Sequence, residues 1–291
     1  MTPSIFDSRS CTLGEGPLWH PLRQQLFWFD IMGSRLMSRH QDQALDWQFG
    51  RHVSAAGWLD REHLLIASET GLSRFNLSNR QDEMLCPIEA DRATTRSNDG
   101  RADPWGGFWV GTMGKGGEFE QGTLYRWFNG ELRILQEGLT TPNSICFDKA
   151  RNCAYYSDTK TRLIWRQPLD PNKGWPIGER SIFLDLTAQA DQMEYKPDGA
   201  VIDAEGCLWS AQWGAARVAR YSPNGDFLRA IDLPTGHTSC PAFGSATLDI
   251  LFITTATQKL PDDATSWRQT AGQTFAVKTN VQGVAEPQVL A

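Results

Sequence analysis

Short runs in which apolar residues alternate or cluster recur along the chain: "QLFWFDI", "HLLIASE", "GFWVGTM", "CAYYSDT", "CLWSAQW" and "ILFITTA". Each has the length of a strand, is rich in aromatic and β-branched residues and is bounded by turn residues, whereas long stretches of helical period are scarce. The six runs begin units of about 40–55 residues, each run followed by a turn and another strand-like run, as in a radial repeat fold. The pattern predicts an all-β chain in which residues 1–291 form one propeller domain. The last such segment, "GQTFAVKTNVQGVAEP", reads as strand that completes a blade beside the N-terminal strand and closes the ring.

Aligning the units on the turn before each run gives a common register. The turn slot holds His20, Asp60, Asp103, Asp148, Asp203 and Gly244, residue types suited to closing a hairpin between the innermost strand of a blade and the next. Five residues upstream stand Glu15, Ala55, Asn98, Asn143, Asp198 and Ser239. Five extended residues span roughly 17 Å, so this second slot lies at the far end of the innermost strand. In a propeller all six such ends converge on one mouth of the channel. A lone Asn or Asp at a strand start is commonly a turn cap; two carboxylates and two carboxamides at one register are not explained by packing.

Composition narrows the class. The net charge of −6 and the absence of Lys/Arg runs argue against a nucleic-acid partner. No apolar run approaches the ~18–20 residues of a membrane span, and "MTPSIFDSRS" lacks the basic and apolar regions of a signal peptide. The six cysteines show no CxxC spacing and several sit in strand-like runs, so they read as reduced, buried thiols of a cytoplasmic protein. Twelve tryptophans and 26 glycines fit a turn-rich β chain. Trp109 and Trp209 read as blade core at the ends of innermost strands, and Trp213 as the tryptophan best placed to stack on a sugar.

The ring slot offers oxygen donors: Glu15, Asn143 and Asp198, with Asn98 a fourth. Hard oxygen ligands favour Ca²⁺, Mg²⁺ or Mn²⁺, and Zn²⁺ and Fe²⁺ also accept carboxylates. Two negative charges match one divalent ion. No G-x-S-x-G elbow supports a serine nucleophile. Cys240, beside the slot, has no His in register and reads as a buried thiol, and His237 in "TGHTS" either faces the mouth or sits in a solvated turn, the latter favoured.

The motifs "GEGPLW", "RSNDGRADPWGGFWVGTM", "QGTLYRW", "TPNSICFD", "YYSDT" and "KPDGAVIDAEGCLW" stand in the order seen in the family of senescence marker protein (regucalcin) and bacterial gluconolactonases, which the chain resembles from about Leu13 to Thr255. The resemblance implies a six-bladed β-propeller with four-stranded antiparallel blades and one divalent metal at the channel mouth. Its metal ligands fall on Glu15, Asn143 and Asp198, and its substrate-contacting asparagine on Asn98. Arg96, two before that asparagine, would hold sugar hydroxyls or a carboxylate. A substrate-binding glutamate that similar proteins place after "GTM" has Glu118 as its nearest counterpart in "GTMGKGGEFEQG". The implied activity is hydrolysis of an aldonolactone or aldarolactone by a cytoplasmic monomer or weak oligomer, with the metal as Lewis acid and Asp198 as general base. A phosphotriesterase-like hydrolase on the same metal and a non-catalytic calcium-binding regulator are the alternatives.

Overall fold

The computed structural model describes residues 2–188 and 194–291. After β1 (Ser4–Asp7), the first blade is β2 (Gly14–His20), β3 (Gln25–Asp30), β4 (Arg35–His40) and β5 (Gln43–Gln48). The second is β6 (Val53–Trp58), β7 (His63–Ser68), β8 (Gly71–Asn76) and β9 (Asp82–Pro87), and the third β10 (Thr95–Ala102), β11 (Phe108–Gly114), β12 (Gly122–Phe128) and β13 (Glu131–Leu139). The fourth is β14 (Pro142–Asp148), β15 (Cys153–Asp158), β16 (Leu163–Pro168) and β17 (Ser181–Asp185). The fifth is β18 (Lys196–Ile202), β19 (Leu208–Trp213), β20 (Arg217–Tyr221) and β21 (Phe227–Asp232). The sixth combines β22 (Thr238–Gly244), β23 (Ile250–Thr255) and β24 (Thr274–Lys278) with β1. All six sheets are four-stranded and antiparallel, so the chain is a six-bladed β-propeller. Ser4 pairs with Ala276, and the two ends of the chain thereby close the ring.

The burial of each strand follows its radius. Every residue of the second strand β3 is buried, because neighbouring blades cover both of its faces, whereas the outer strand β5 is largely exposed. The core is accordingly divided. One apolar cluster joins Leu18, Phe27 and Phe29 to Ala56, Leu64 and Ile66 across the first and second blades. Another joins Trp109, Leu124 and Ile145 to Tyr156 across the third and fourth, and a third joins Val201 and Trp209 to Phe243 and Ile253 across the fifth and sixth.

The apolar runs that mark the repeat are the second strands, so each unit begins one strand earlier, with the strand that lines the channel. Trp109 and Trp209 therefore lie near the start of the second strands β11 and β19, not at the end of innermost ones. Tight turns separate the two strands, and the turn-slot residues build them. Asp103 Oδ1 accepts from the N–H groups of Trp105 (2.9 Å) and Gly107 (3.1 Å), and Oδ2 from Arg126 Nε (2.7 Å). Asp203 repeats this with Glu205 N–H, Cys207 N–H, Trp209 Nε1 and Arg220 Nε, all at 2.8–3.0 Å. His20 donates from Nε2 to the Asp60 carbonyl of the next blade (2.9 Å), and Gly244 leaves room for Trp19, whose ring a Cβ would meet at 2.6 Å.

The C-terminal segment is only partly strand. Beyond Lys278 it crosses the hairpin end of the channel. Ala204 N–H donates to Gln282 O (2.9 Å), Trp58 Nε1 to Glu286 O (2.8 Å) and Leu290 N–H to Gly106 O (2.9 Å). Glu286 meets Arg101 of β10 inside the channel. The strap thus seals the lower mouth and leaves the other open.

Candidate active site at the upper channel mouth

The slot residues stand where each innermost strand begins, and every one of these strands is irregular there. Its pairing with the second strand skips residues between Glu15 and Leu18, Val53 and Ala55, Ser97 and Gly100, Asn143 and Cys146, Pro197 and Ala200, and Thr238 and Pro241. Such bulges re-aim side chains. Asn98 and Asp198 lie within the unpaired step, whereas Glu15 and Asn143 are the last paired residues before it. In β2 and β14 the next residue turns left-handed instead (Gly16 φ 52°, Ser144 φ 58°). Two local geometries thus deliver four side chains to one place.

That place is a cavity of about 590 Å³, lined by Glu15, Arg96, Asn98, Asn143 and Asp198 at its base. All five are buried. Cross-blade hydrogen bonds fix them. Asn98 Nδ2 donates to Asn143 Oδ1 (2.9 Å) and to Pro142 O (3.1 Å), while Asn98 Oδ1 accepts from Arg96 Nη1 (2.9 Å). Asn143 Nδ2 donates to Thr159 Oγ1 (2.7 Å), whose hydroxyl donates to Pro197 O (2.7 Å). Ser144 Oγ donates to the carbonyl of Asp198 (2.5 Å). Asn98 has thus spent both N–H donors on protein and retains one oxygen lone pair. Arg96 makes no further hydrogen bond through Nε or Nη2 among the described residues, which leaves those donors for a ligand.

Electrostatics set this base apart from the rest of the molecule. Burial, then the Asp99 carboxylate, pushes Glu15 up to about 8. Asp198 is driven well above the usual carboxylate range by burial, then by the nearby Glu15 and Asp99 carboxylates. Arg96 is lowered to about 10 by its own desolvation, against the attraction of Glu15 and Asp198. Two buried carboxylates are thus crowded together with one desolvated guanidinium, and the second negative charge lacks compensation. Glu15 and Asp198 with the Asn143 amide oxygen form an all-oxygen donor set whose charge suits one divalent cation. The donor chemistry fits a metal.

The remaining candidates separate cleanly. Trp213 lines the cavity with one face stacked on His237, ring centroids 4.1 Å apart. His237 is therefore buried behind Trp213, its Nδ1 donating to Gln258 O (2.9 Å), and is not a solvated turn. Glu118 is exposed on the β11–β12 turn, accepts from Gly116 N–H (3.1 Å) and does not line the cavity. The Cys240 thiol is buried and raised far above its ordinary value, chiefly by desolvation, which suits an inert wall. All six cysteines are free and buried. Asp99, which no turn motif distinguishes from Asn98, is a further buried carboxylate. It accepts from Ile145 N–H (2.8 Å) and is pushed up to about 6 by burial. No helix among the described residues is long and apolar enough to cross a membrane.

Residues 13–257 match the family model described as SMP-30/Gluconolactonase/LRE-like region. The chain is 32% identical to the 6-deoxy-6-sulfogluconolactonase of Pseudomonas putida, over 94% of each chain. It is also 32% identical to the L-arabinolactonase of Azospirillum brasilense, over 97% of this chain and 93% of that one. Among solved structures it is similar to a calcium-binding protein, regucalcin, from Agrobacterium tumefaciens str. C58 (TM-score 0.94, 33% identity, 99% of this chain and 97% of that one).

Proposed function

Because the chain belongs to the SMP-30/gluconolactonase/LRE-like family, we propose that it is a metal-dependent sugar lactonase that opens an aldonolactone or aldarolactone to its acid. The observation that carries this reading is the convergence of Glu15, Asn143, Asp198, Asn98 and Arg96 on the base of one open cavity. Relatives named as lactonases over nearly the whole chain support the reaction class, and a relative described as calcium-binding supports a divalent ion.

Glu15, Asn143 and Asp198 would hold the cation. When bound, it supplies the charge that lets both carboxylates ionise and polarises the lactone carbonyl as a Lewis acid. Asp198 takes a proton from the attacking water and returns it to the ring oxygen as the ester bond breaks. Arg96, whose Nε and Nη2 make no hydrogen bond among the described residues, orients the polyol. Asn98 acts mainly by holding Asn143 and Arg96 in place, and Trp213 offers its free face to the sugar ring.

Asp198→Asn keeps the shape and removes the base. It should lower lactone turnover by ~10³-fold over the spontaneous blank, with an unchanged circular dichroism spectrum and reduced metal content. Native protein should carry about one divalent ion per chain on the donor count and lose activity to chelator. Turnover within a few-fold of native in Asp198→Asn, or native protein free of metal and indifferent to chelator, would overturn the mechanism. Stoichiometric calcium without turnover of any lactone would favour a binding protein.

A further inference from the structure

The cavity changes character from base to rim. Among the described residues six cationic side chains line it, Arg96, Lys115, Lys160, Arg162, Lys196 and Lys259, against the three carboxylates Glu15, Glu194 and Asp198. This excess stands in a chain whose net charge is −6. Three of the cations are engaged: Lys115 pairs with Glu69 (2.5 Å), Lys196 with Glu194 (3.1 Å), and Arg96 faces the ring. Lys160, Arg162 and Lys259 form no direct ion pair among the described residues, although Glu194 feels the charges of Lys160 and Arg162 and Asp185 that of Arg162; they stand on two separate loops at the open mouth.

One of those loops is built rigidly. Asp158, at the end of β15, accepts from the N–H groups of Thr140 (2.9 Å), Thr141 (3.0 Å) and Lys160 (3.1 Å). Arg162 then takes a left-handed conformation (φ 60°), its N–H donating to Asp158 O (3.1 Å). The turn Thr159–Arg162 therefore carries Thr159 down to Asn143 of the base and two cations up to the rim. Lys259 approaches from the sixth blade, also left-handed (φ 58°).

We infer that the substrate carries a second anionic group, a carboxylate, sulfonate or phosphate ester remote from the lactone carbonyl, which Lys160, Arg162 and Lys259 bind at the rim. This rests on the lactonase reading and sharpens it. Unpaired cations around a concave mouth raise the local concentration of an anion and hold it by charge-assisted bonds. A neutral sugar accepts hydrogen bonds from such donors but leaves their charge uncompensated.

The test compares lactones matched in ring and configuration: glucono-1,4-lactone with glucaro-1,4-lactone, and glucono-1,5-lactone with its 6-phosphate, each corrected for its blank. The anionic member should have the higher kcat/KM by about tenfold at low salt, with the advantage shrinking as salt screens the rim. Arg162→Gln/Lys259→Gln should lower the anionic-to-neutral ratio by about tenfold, whereas Lys173→Gln, the same kind of charge loss outside the cavity, should leave the ratio intact. The carboxylate and phosphate pairs report which anion fits. Equal kcat/KM within each pair, or a ratio unmoved in the double variant, would overturn the inference. If no lactone is turned over, the lactonase reading fails separately, and calorimetry with gluconate and glucarate decides the anion site. Tighter binding of the dianion, lost in the double variant, upholds it; equal binding overturns it.

Discussion

At the scale of single residues, identity and environment part company in the two repeated slots. Asp198 and Asp203 are five apart, one near the start of β18 and the other in the turn just past its end. Asp203 is saturated by two main-chain N–H groups, an indole and a guanidinium, while Asp198 faces Glu15 with too little positive charge nearby. His20 shows the same divergence within the turn slot. It is fully buried, its Nε2–H is bound and its Nδ1 has no hydrogen-bond partner among the described residues. Burial lowers its pKa below the ordinary 6.5, with Arg23 and Arg61 adding to the effect against the Asp60 carbonyl. A histidine held neutral contributes stability that is complete above the unfolded value and is lost as pH falls through the lower folded value. His20→Asn should therefore flatten the loss of stability between pH 7.5 and 5.5, where one such group accounts for at most about 1.4 kcal/mol per pH unit. Urea midpoints at the two pH values measure it, and identical slopes in variant and native protein would contradict the assignment.

The turns are the element that holds each blade, and their cost of removal depends on what the aspartate leaves behind. Read from sequence alone, an aspartate in a hairpin is worth about one turn hydrogen bond, ~1 kcal/mol. The structure raises that figure. Asp103 pairs with Arg126, both fully enclosed, and among the described residues the guanidinium is otherwise held against the rings of Phe128 and Trp175. Asp103→Ala strands a buried charge and should cost about 3–5 kcal/mol. Asp203→Ala should cost less, because Arg220 keeps Glu205 at 2.6 Å. Chemical denaturation orders the two, and lactone turnover should survive in the folded fraction of each. An equal, small loss in both would show that the arginines relax to solvent.

Across the whole molecule, closure is achieved twice, by β1 at the circumference and by the C-terminal strap at the axis. The strap's Glu286 is buried against Arg101 in the channel. Glu286→Gln leaves Arg101 without its partner and should cost about 3–5 kcal/mol, whereas Arg101→Met/Glu286→Leu, which removes both charges, should cost far less. Thermal melts of the native protein and the two variants test this, and a double variant that loses at least as much as Glu286→Gln would overturn the account.

The repeat, its six units and the division of each unit into a turn slot and a ring slot were legible in the chain, because strand alternation and turn chemistry are local and recur in every blade. Glu15, Asn98, Asn143 and Asp198 could be grouped for the same reason, since a constant offset from a turn survives in sequence. Asp99 and the rim residues Lys160, Arg162 and Lys259 could not. Asp99 stands one residue off the ring slot and is as buried as Asn98, and the three cations lie on loops between second and third strands, outside both slots. Nor could periodicity foresee the bulges that bring residues of two registers to a common point, or the strap that continues past β24 without joining a sheet. Local pattern determined what each segment would become and which residues would stand in a ring. Charge balance, burial and the sharing of one cavity by distant loops were decided only by tertiary structure, because they depend on separations that no spacing along the chain encodes.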